Sequence, residues 1–318
     1  MYTIVQKRRW YYFLSLAIII PGLLIVLYSI ATTGKAFKLS IDFEGGSIYE
    51  VKFTAPGANE SNIRGVFEQF GNDSTVIQRL GAPEENDWSI RASYQDQATS
   101  QQIVDALNAI APVDRSNLRI EQVSATIGQE VTQAAFVAVL VATLVVTGFI
   151  VLSFRKVPDA LRYGVCAIIA MFHDVLIVAA AMSLCGLVFG WEVDALFLTA
   201  TLMVVGFSVQ DTIVIYDRIR ENIPKFLGEP YDTIVNRSIL ETIHRSLTTQ
   251  ISVFFVMIAI LLFGGASIKQ FVFILFVGLL TGSYSSIFIA VPLLVSWERH
   301  EFPFIFGRRN QVVEPEAA

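Results

Sequence analysis

The chain has 318 residues, of which 54% are hydrophobic and only 16% are charged, whereas soluble domains carry about 25% charged residues. Charge is crowded between Lys35 and Glu130 and nearly absent from the apolar runs beyond, so the chain is built for two solvents, water for one part and lipid for the rest. A net charge of −5, with no basic stripe alternating with aromatics, argues against nucleic acid as a partner.

The first apolar run, Tyr11 to Ala31, follows Lys7, Arg8 and Arg9. Signal peptides also begin basic and turn apolar, but this run has the roughly 20 residues needed to span a bilayer and no A-x-A-like cleavage site. It reads as an uncleaved first helix. The next segment, residues 37–130, reads as a small α+β domain. Ser47–Thr54, Thr75–Leu80, Trp88–Ser93 and Asn117–Val123 are rich in strand-forming residues. Asn59–Phe70 and Ala98–Ile110 have helical spacing of apolar positions, with Asn59 and Thr99 as caps. The order β-α-β-β-α-β predicts a ferredoxin-like sandwich.

Five further spans follow at Thr132–Phe154, Ala160–Val188, Asp194–Tyr216, Leu247–Ala266 and Phe271–Trp297. The expected fold is therefore an α-helical polytopic membrane protein with six transmembrane helices and one insert after the first. Residues 1–36 hold the N-terminus and first helix, residues 131–298 hold helices two to six, and residues 299–318 form a tail. Basic residues set the orientation. Lys7, Arg8, Arg9, Arg155, Lys156, Arg162, Arg218, Arg220, Lys225, Arg237, Arg245, Arg299, Arg308 and Arg309 fall on one side, against Lys269 in the short connections of the other. Both termini are expected in the cytoplasm, with the insert outside. The polar stretch from Gly307 to Ala318 reads as a disordered tail.

Acids inside the apolar runs carry the chemistry. Asp211 lies in Gly206-Phe207-Ser208-Val209-Gln210-Asp211-Thr212-Ile213, about seven residues, or roughly 10 Å, up the helix from Arg218. A carboxylate facing lipid there costs about 2.5 kcal/mol or more, so it should face the bundle interior, a wet cavity or a basic partner. Such a carboxyl can exchange protons near neutral pH; the bland alternative is a helix that extends into water. His173-Asp174 sits nearer the midplane of the third span, either as a working pair or as a hydrogen bond that only holds the bundle. Arg245 opens the fifth span on the same side as Asp211, so it is either Asp211's partner or an ordinary cytoplasmic anchor. Gly278 and Gly282 give the sixth span a small-residue face for close packing.

Other chemistry finds no support. The three histidines, His173, His244 and His300, lack metal-ligand spacing. No phosphate-binding loop or nucleophile elbow is present. Cys166 and Cys185 are 19 residues apart on one expected helix, or roughly 28 Å, too far for the roughly 7 Å limit of a disulfide. The chain is not expected to be an enzyme or to need a cofactor.

The stretch from Gly206 through Asp217-Arg218-Ile219-Arg220-Glu221-Asn222 closely resembles the fourth-helix signature of the SecD/SecF family, within the resistance-nodulation-division superfamily. Ile41-Asp42-Phe43-Glu44-Gly45-Gly46-Ser47, Phe172-His173-Asp174-Val175 and His244-Arg245-Ser246 agree with it. The resemblance implies a multi-pass protein of the bacterial cytoplasmic membrane that pairs with SecD. The pair would assist the SecYEG channel and SecA motor, using protons as the coupling ion to draw unfolded polypeptide outward. It also implies that Asp211 and Arg245 belong to the proton pathway, with Asp174, His173 and Gln210 as further candidates. The family often has Tyr and Asn where this chain has Phe207 and Gln210. A passive scaffold for the channel and half of a small-molecule exporter are the rival readings.

Overall fold

A computed structural model describes residues 4–72, 75–80, 85–155 and 160–301. Lys156, Arg308, Arg309 and the expected disordered tail lie outside the described residues. The chain forms two compact units. One contains most of the long helices, and the other contains the α+β insert with residues 39–138 and 192–195.

The insert runs α2 (Ile41–Glu44), β1 (Gly46–Lys52), α3 (Glu60–Gln69), β2 (Val76–Leu80), β3 (Asp87–Ala92), α4 (Gln97–Ile110) and β4 (Arg119–Val123). The strands form one antiparallel sheet in the order β2-β3-β1-β4, the expected β-α-β-β-α-β sandwich. Alternation explains the register. Tyr49 and Val51 point into the core, and Tyr49 lies opposite Ile90 on one side and Ile120 on the other. Ile63, Val66 and Phe67 of α3 and Ile103, Val104 and Leu107 of α4, at helical spacing, cover that face. Asn59 caps α3 as expected, accepting the Asn62 N–H. The cap of α4, however, is Asp96 rather than Thr99. A carboxylate is the better acceptor at the positive end of a helix, and it takes the Thr99 N–H at 2.8 Å. The hydrogen bonds from Thr99 hold the Asp96 carboxyl below its ordinary pKa.

The long helices are α1 (Arg8–Thr33), α5 (Ala125–Phe154), α6 (Ala160–Phe189), α7 (Ala195–Lys225), α8 (Tyr231–Phe263) and α9 (Ala266–Ser285). A π-helical turn at Ser286–Ala290 joins α9 to α10 (Val291–Glu298). Among the described residues six helices are long and apolar enough to cross a membrane. α7 and α8 run well past the apolar windows, because Asp217 to Lys225 and Tyr231 to Ser246 are amphipathic. They bury Ile219, Asn222, Val235 and Ile239 while exposing charge. Cys166 and Cys185 both lie on α6 as free, buried thiols.

Small residues set the helix spacing. A Cβ on Gly278 of α9 would lie 2.1 Å from Val204 Cγ2 on α7, so only glycine permits this approach. One turn further on, a Cβ on Gly282 would meet Ser208 Cβ at 3.3 Å and Asp174 Oδ2 at 3.7 Å.

Candidate functional site

The close packing of α9 on α7 brings four helices around Asp174, whose side chain is 1% exposed. Its Oδ2 accepts hydrogen bonds from Ser208 Oγ of α7 at 2.6 Å and Ser285 Oγ of α9 at 2.7 Å. Its Oδ1 lies 2.9 Å from His173 Nδ1, and His173 Nε2 lies 3.0 Å from Ser15 Oγ of α1. A line of hydrogen bonds between buried side chains thus crosses α1, α6, α7 and α9. The π-helical turn begins directly after Ser285, a local widening of the kind often found at functional sites. Tyr216 of α7 donates to the Ala290 carbonyl at the end of that turn at 3.1 Å.

Asp211 lies three residues beyond Ser208 on α7, about 4.5 Å further along the axis, but is turned toward α8. Its Oδ2 accepts from Gln250 Nε2 at 2.5 Å, and Gln250 is itself buried. Asp211 is half-buried and Gln210 beside it is exposed. α7 therefore donates a hydroxyl to the acid of α6 and carries an acid of its own toward the Gln250 amide of α8.

Arg245 does not pair with Asp211 here. It is exposed and lines a cleft of about 300 Å³ with Asp217, Arg218, Glu221 and Glu241. In that cleft Glu241 accepts from Arg218 Nε at 2.6 Å and from Asn222 Nδ2 at 2.8 Å, tying α8 to α7. Among the described residues the Arg245 guanidinium makes no hydrogen bond or ion pair. The five sequence candidates thus fall into three places, with His173 and Asp174 in the core, Asp211 and Gln210 on α7 toward the surface, and Arg245 at the cleft.

Sequence reasoning does not find Ser15, Ser208, Gln250 or Ser285 as partners. The signal for Ser15 was a single hydroxyl in the apolar run Phe13-Leu14-Ser15-Leu16. For Ser208 it was the spacing of three residues from Asp211.

A buried acid network among helices long and apolar enough to cross a membrane, in a chain that also carries a small α+β insert, fits a subunit of a membrane transporter. The model for protein export membrane protein SecD/SecF, C-terminal, matches residues 102–300, and that for the SecD/SecF GG motif matches residues 30–56. The SecF protein translocase subunit of Anaerolinea thermophila is 43% identical over 312 residues, covering 97% of this chain and 98% of the relative. That of Thermobaculum terrenum is 40% identical over 330 residues, covering 100% and 99%. The crystal structure of the translocon-associated membrane protein SecDF from Thermus thermophilus superposes with a TM-score of 0.74 at 29% identity. It matches 94% of this chain, which spans 39% of that SecDF chain. The chain belongs to the SecD/SecF family, on the SecF side.

Proposed function

We propose that this chain pairs with SecD in the bacterial cytoplasmic membrane and uses the proton gradient to assist Sec-dependent protein export. In this reading both termini face the cytoplasm, the insert faces outward and meets emerging polypeptide, and the pair serves the SecYEG channel and SecA motor. Asp211 is the site of proton exchange. The observation that carries this is its position, half-buried on α7, with a buried amide on one side and exposed Gln210 on the other. A carboxylate at this depth is costly unless it is neutralised or partnered. The neutral acid and the carboxylate make different hydrogen bonds with Gln250, so protonation can bias α7 against α8. In this reading Arg245, five residues before Gln250 on α8 and exposed at the charged cleft, supplies the cytoplasmic end of the route. Asp174 and His173 are the inner members of the route, reached through Ser208.

Each proton moving down 100 mV releases about 2.3 kcal/mol, which bounds the bias from one proton at roughly 50-fold. Export of a secretory precursor by Asp211→Asn, at matched membrane abundance with SecD bound, should fall toward that limit and lose its response to the gradient. Normal gradient-stimulated export by that variant would remove Asp211 from the mechanism and favour a passive scaffold.

A further inference from the structure

The lead-in to the sheet makes contacts that the proposed proton route does not use. Asp42 Oδ2 accepts the backbone N–H of Ala195 at 3.0 Å, placing a carboxylate on the first residue of α7. Helix N-termini carry unsatisfied N–H groups and a partial positive charge, which such an acceptor satisfies. The Ser40 N–H donates to the Val193 carbonyl at 2.8 Å, and Leu39 bridges Val193 as a parallel pair. Arg91, on the central strand β3, donates to the Leu39 carbonyl at 2.9 Å, to Glu192 Oε1 at 2.7 Å and to Glu44 Oε2 at 3.3 Å. All these residues fall in the compact unit that contains the insert, and that unit takes in Glu192 to Ala195.

The two adjacent glycines hold the same stretch against a second helix. Gly45 has φ +77°, and a Cβ there would lie 2.9 Å from the backbone of Ala125, where α5 begins. Gly46 has φ +135°, and its Cβ would lie 2.9 Å from the Ala92 carbonyl on β3. A Cβ on Gly128, in the first turn of α5, would lie 2.8 Å from the Phe43 carbonyl. Residues 42–46 therefore hold the first residue of α7 by a hydrogen bond and press on the first turn of α5.

We propose that Asp42 and Arg91 are positioning residues that lock the start of α7 to the insert, so that a shift of α7 is delivered to the insert rather than absorbed by a loop. This rests on the proton reading of Asp211. Asp211 is sixteen residues from Ala195, about 24 Å along one helix, and a helix transmits an axial shift or rotation over that length as a rod. Without the lock, the five residues between Phe189 and Ala195 would be free to take up the displacement.

The test uses the full chain assembled with SecD in vesicles. Hydrogen exchange is followed in peptides from α4 and in peptides around Asp211, with and without an imposed proton gradient, alongside precursor export. Arg91→Glu should abolish the gradient-dependent change in α4 and lower export roughly tenfold, while the change around Asp211 persists. Adding Glu192→Arg should restore part of both, because that ion pair re-forms with reversed polarity while the donation to the Leu39 carbonyl stays lost. Asp42→Ala should behave as Arg91→Glu, whereas Asp42→Asn keeps an oxygen for the Ala195 N–H and should behave as wild type. The lock is refuted if Arg91→Glu and Asp42→Ala leave the insert's response intact, or if the charge-swapped pair does no better than Arg91→Glu. If Asp211→Asn leaves the wild-type responses of both α7 and α4 unchanged, the proton reading fails and this inference falls with it.

Discussion

At the scale of single residues, Asp174 and Asp211 are acids in the same bundle with different surroundings. Asp174 is enclosed and accepts from two serines besides its contact with His173. Asp211 has one amide partner and a route to the surface. Interhelical hydrogen bonds in membrane proteins average about 0.6 kcal/mol each, and leaving buried donors unpaired adds more. Asp174→Ala, which removes three such contacts, should destabilise the bundle by about 2–4 kcal/mol. Asp174→Asn keeps one carbonyl acceptor and should cost less than half as much. Thermal unfolding in detergent reads the difference, and equal melting of Asp174→Ala and wild type would show that the network does not hold the helices together. Both acids were legible in the sequence because a carboxylate in an apolar run is expensive and so must be partnered or neutralised. Their partners were not, since serine is cheap in a membrane helix and its direction depends on the neighbouring helix.

At the scale of elements, α9 and α7 meet where Gly278 faces Val204. A methyl group forced to 2.1 Å from Val204 Cγ2 must separate the helices or twist the valine. Overpacking of this kind costs about 1–3 kcal/mol. Gly278→Ala should lower the melting temperature, and Gly278→Ala/Val204→Ala should recover part of the loss. Unchanged melting of Gly278→Ala would mean that the two helices do not pack this closely. Ser208 and Ser285 sit on these same helices, so the spacing that admits no Cβ at Gly278 also brings both hydroxyls to Asp174. The Gly-x3-Gly pattern announced a close approach but could not name Val204 as its target, because a small-residue face fits any helix. In the insert, alternation gave the strands and the 3.6-residue spacing gave the helices. The cap of α4 was misplaced by three residues because Asp96 and Thr99 are both good caps, and only the backbone turn at Asp96 decided between them.

At the scale of the whole molecule, the exposed surface of the long helices is of two kinds. α5 shows Phe136, Leu140, Leu144 and Phe149, which suits lipid. α7 and α8 show Gln210, Thr248, Thr249 and Ser252 beside half-buried Asp211. The hydroxyls of Thr248, Thr249 and Ser252 are satisfied by carbonyls one turn back on α8, but an outward amide and a half-buried carboxyl are costly against hydrocarbon and favour a protein neighbour. Cysteines introduced at Gln210 or Thr249 should therefore cross-link to SecD in membranes, and cysteines at Leu144 or Phe136 should not. The reverse pattern would move the partner to α5 and leave Asp211 facing lipid.

The sequence by itself determined the two solvents, the helices that cross the bilayer, the strand order of the insert and the presence of two acids inside apolar helices. Each of these follows from local periodicity or from the cost of placing a charge in lipid, and both can be read along one chain. The tertiary structure alone decided that Asp174 is held by Ser208 and Ser285, that Asp211 meets Gln250 rather than Arg245, and that Asp42 caps α7 from 153 residues away. Those contacts depend on the rotation of each helix about its own axis. That rotation is fixed only when all the helices pack together, because glycine and serine faces leave many angles nearly equal in energy until the neighbours are in place.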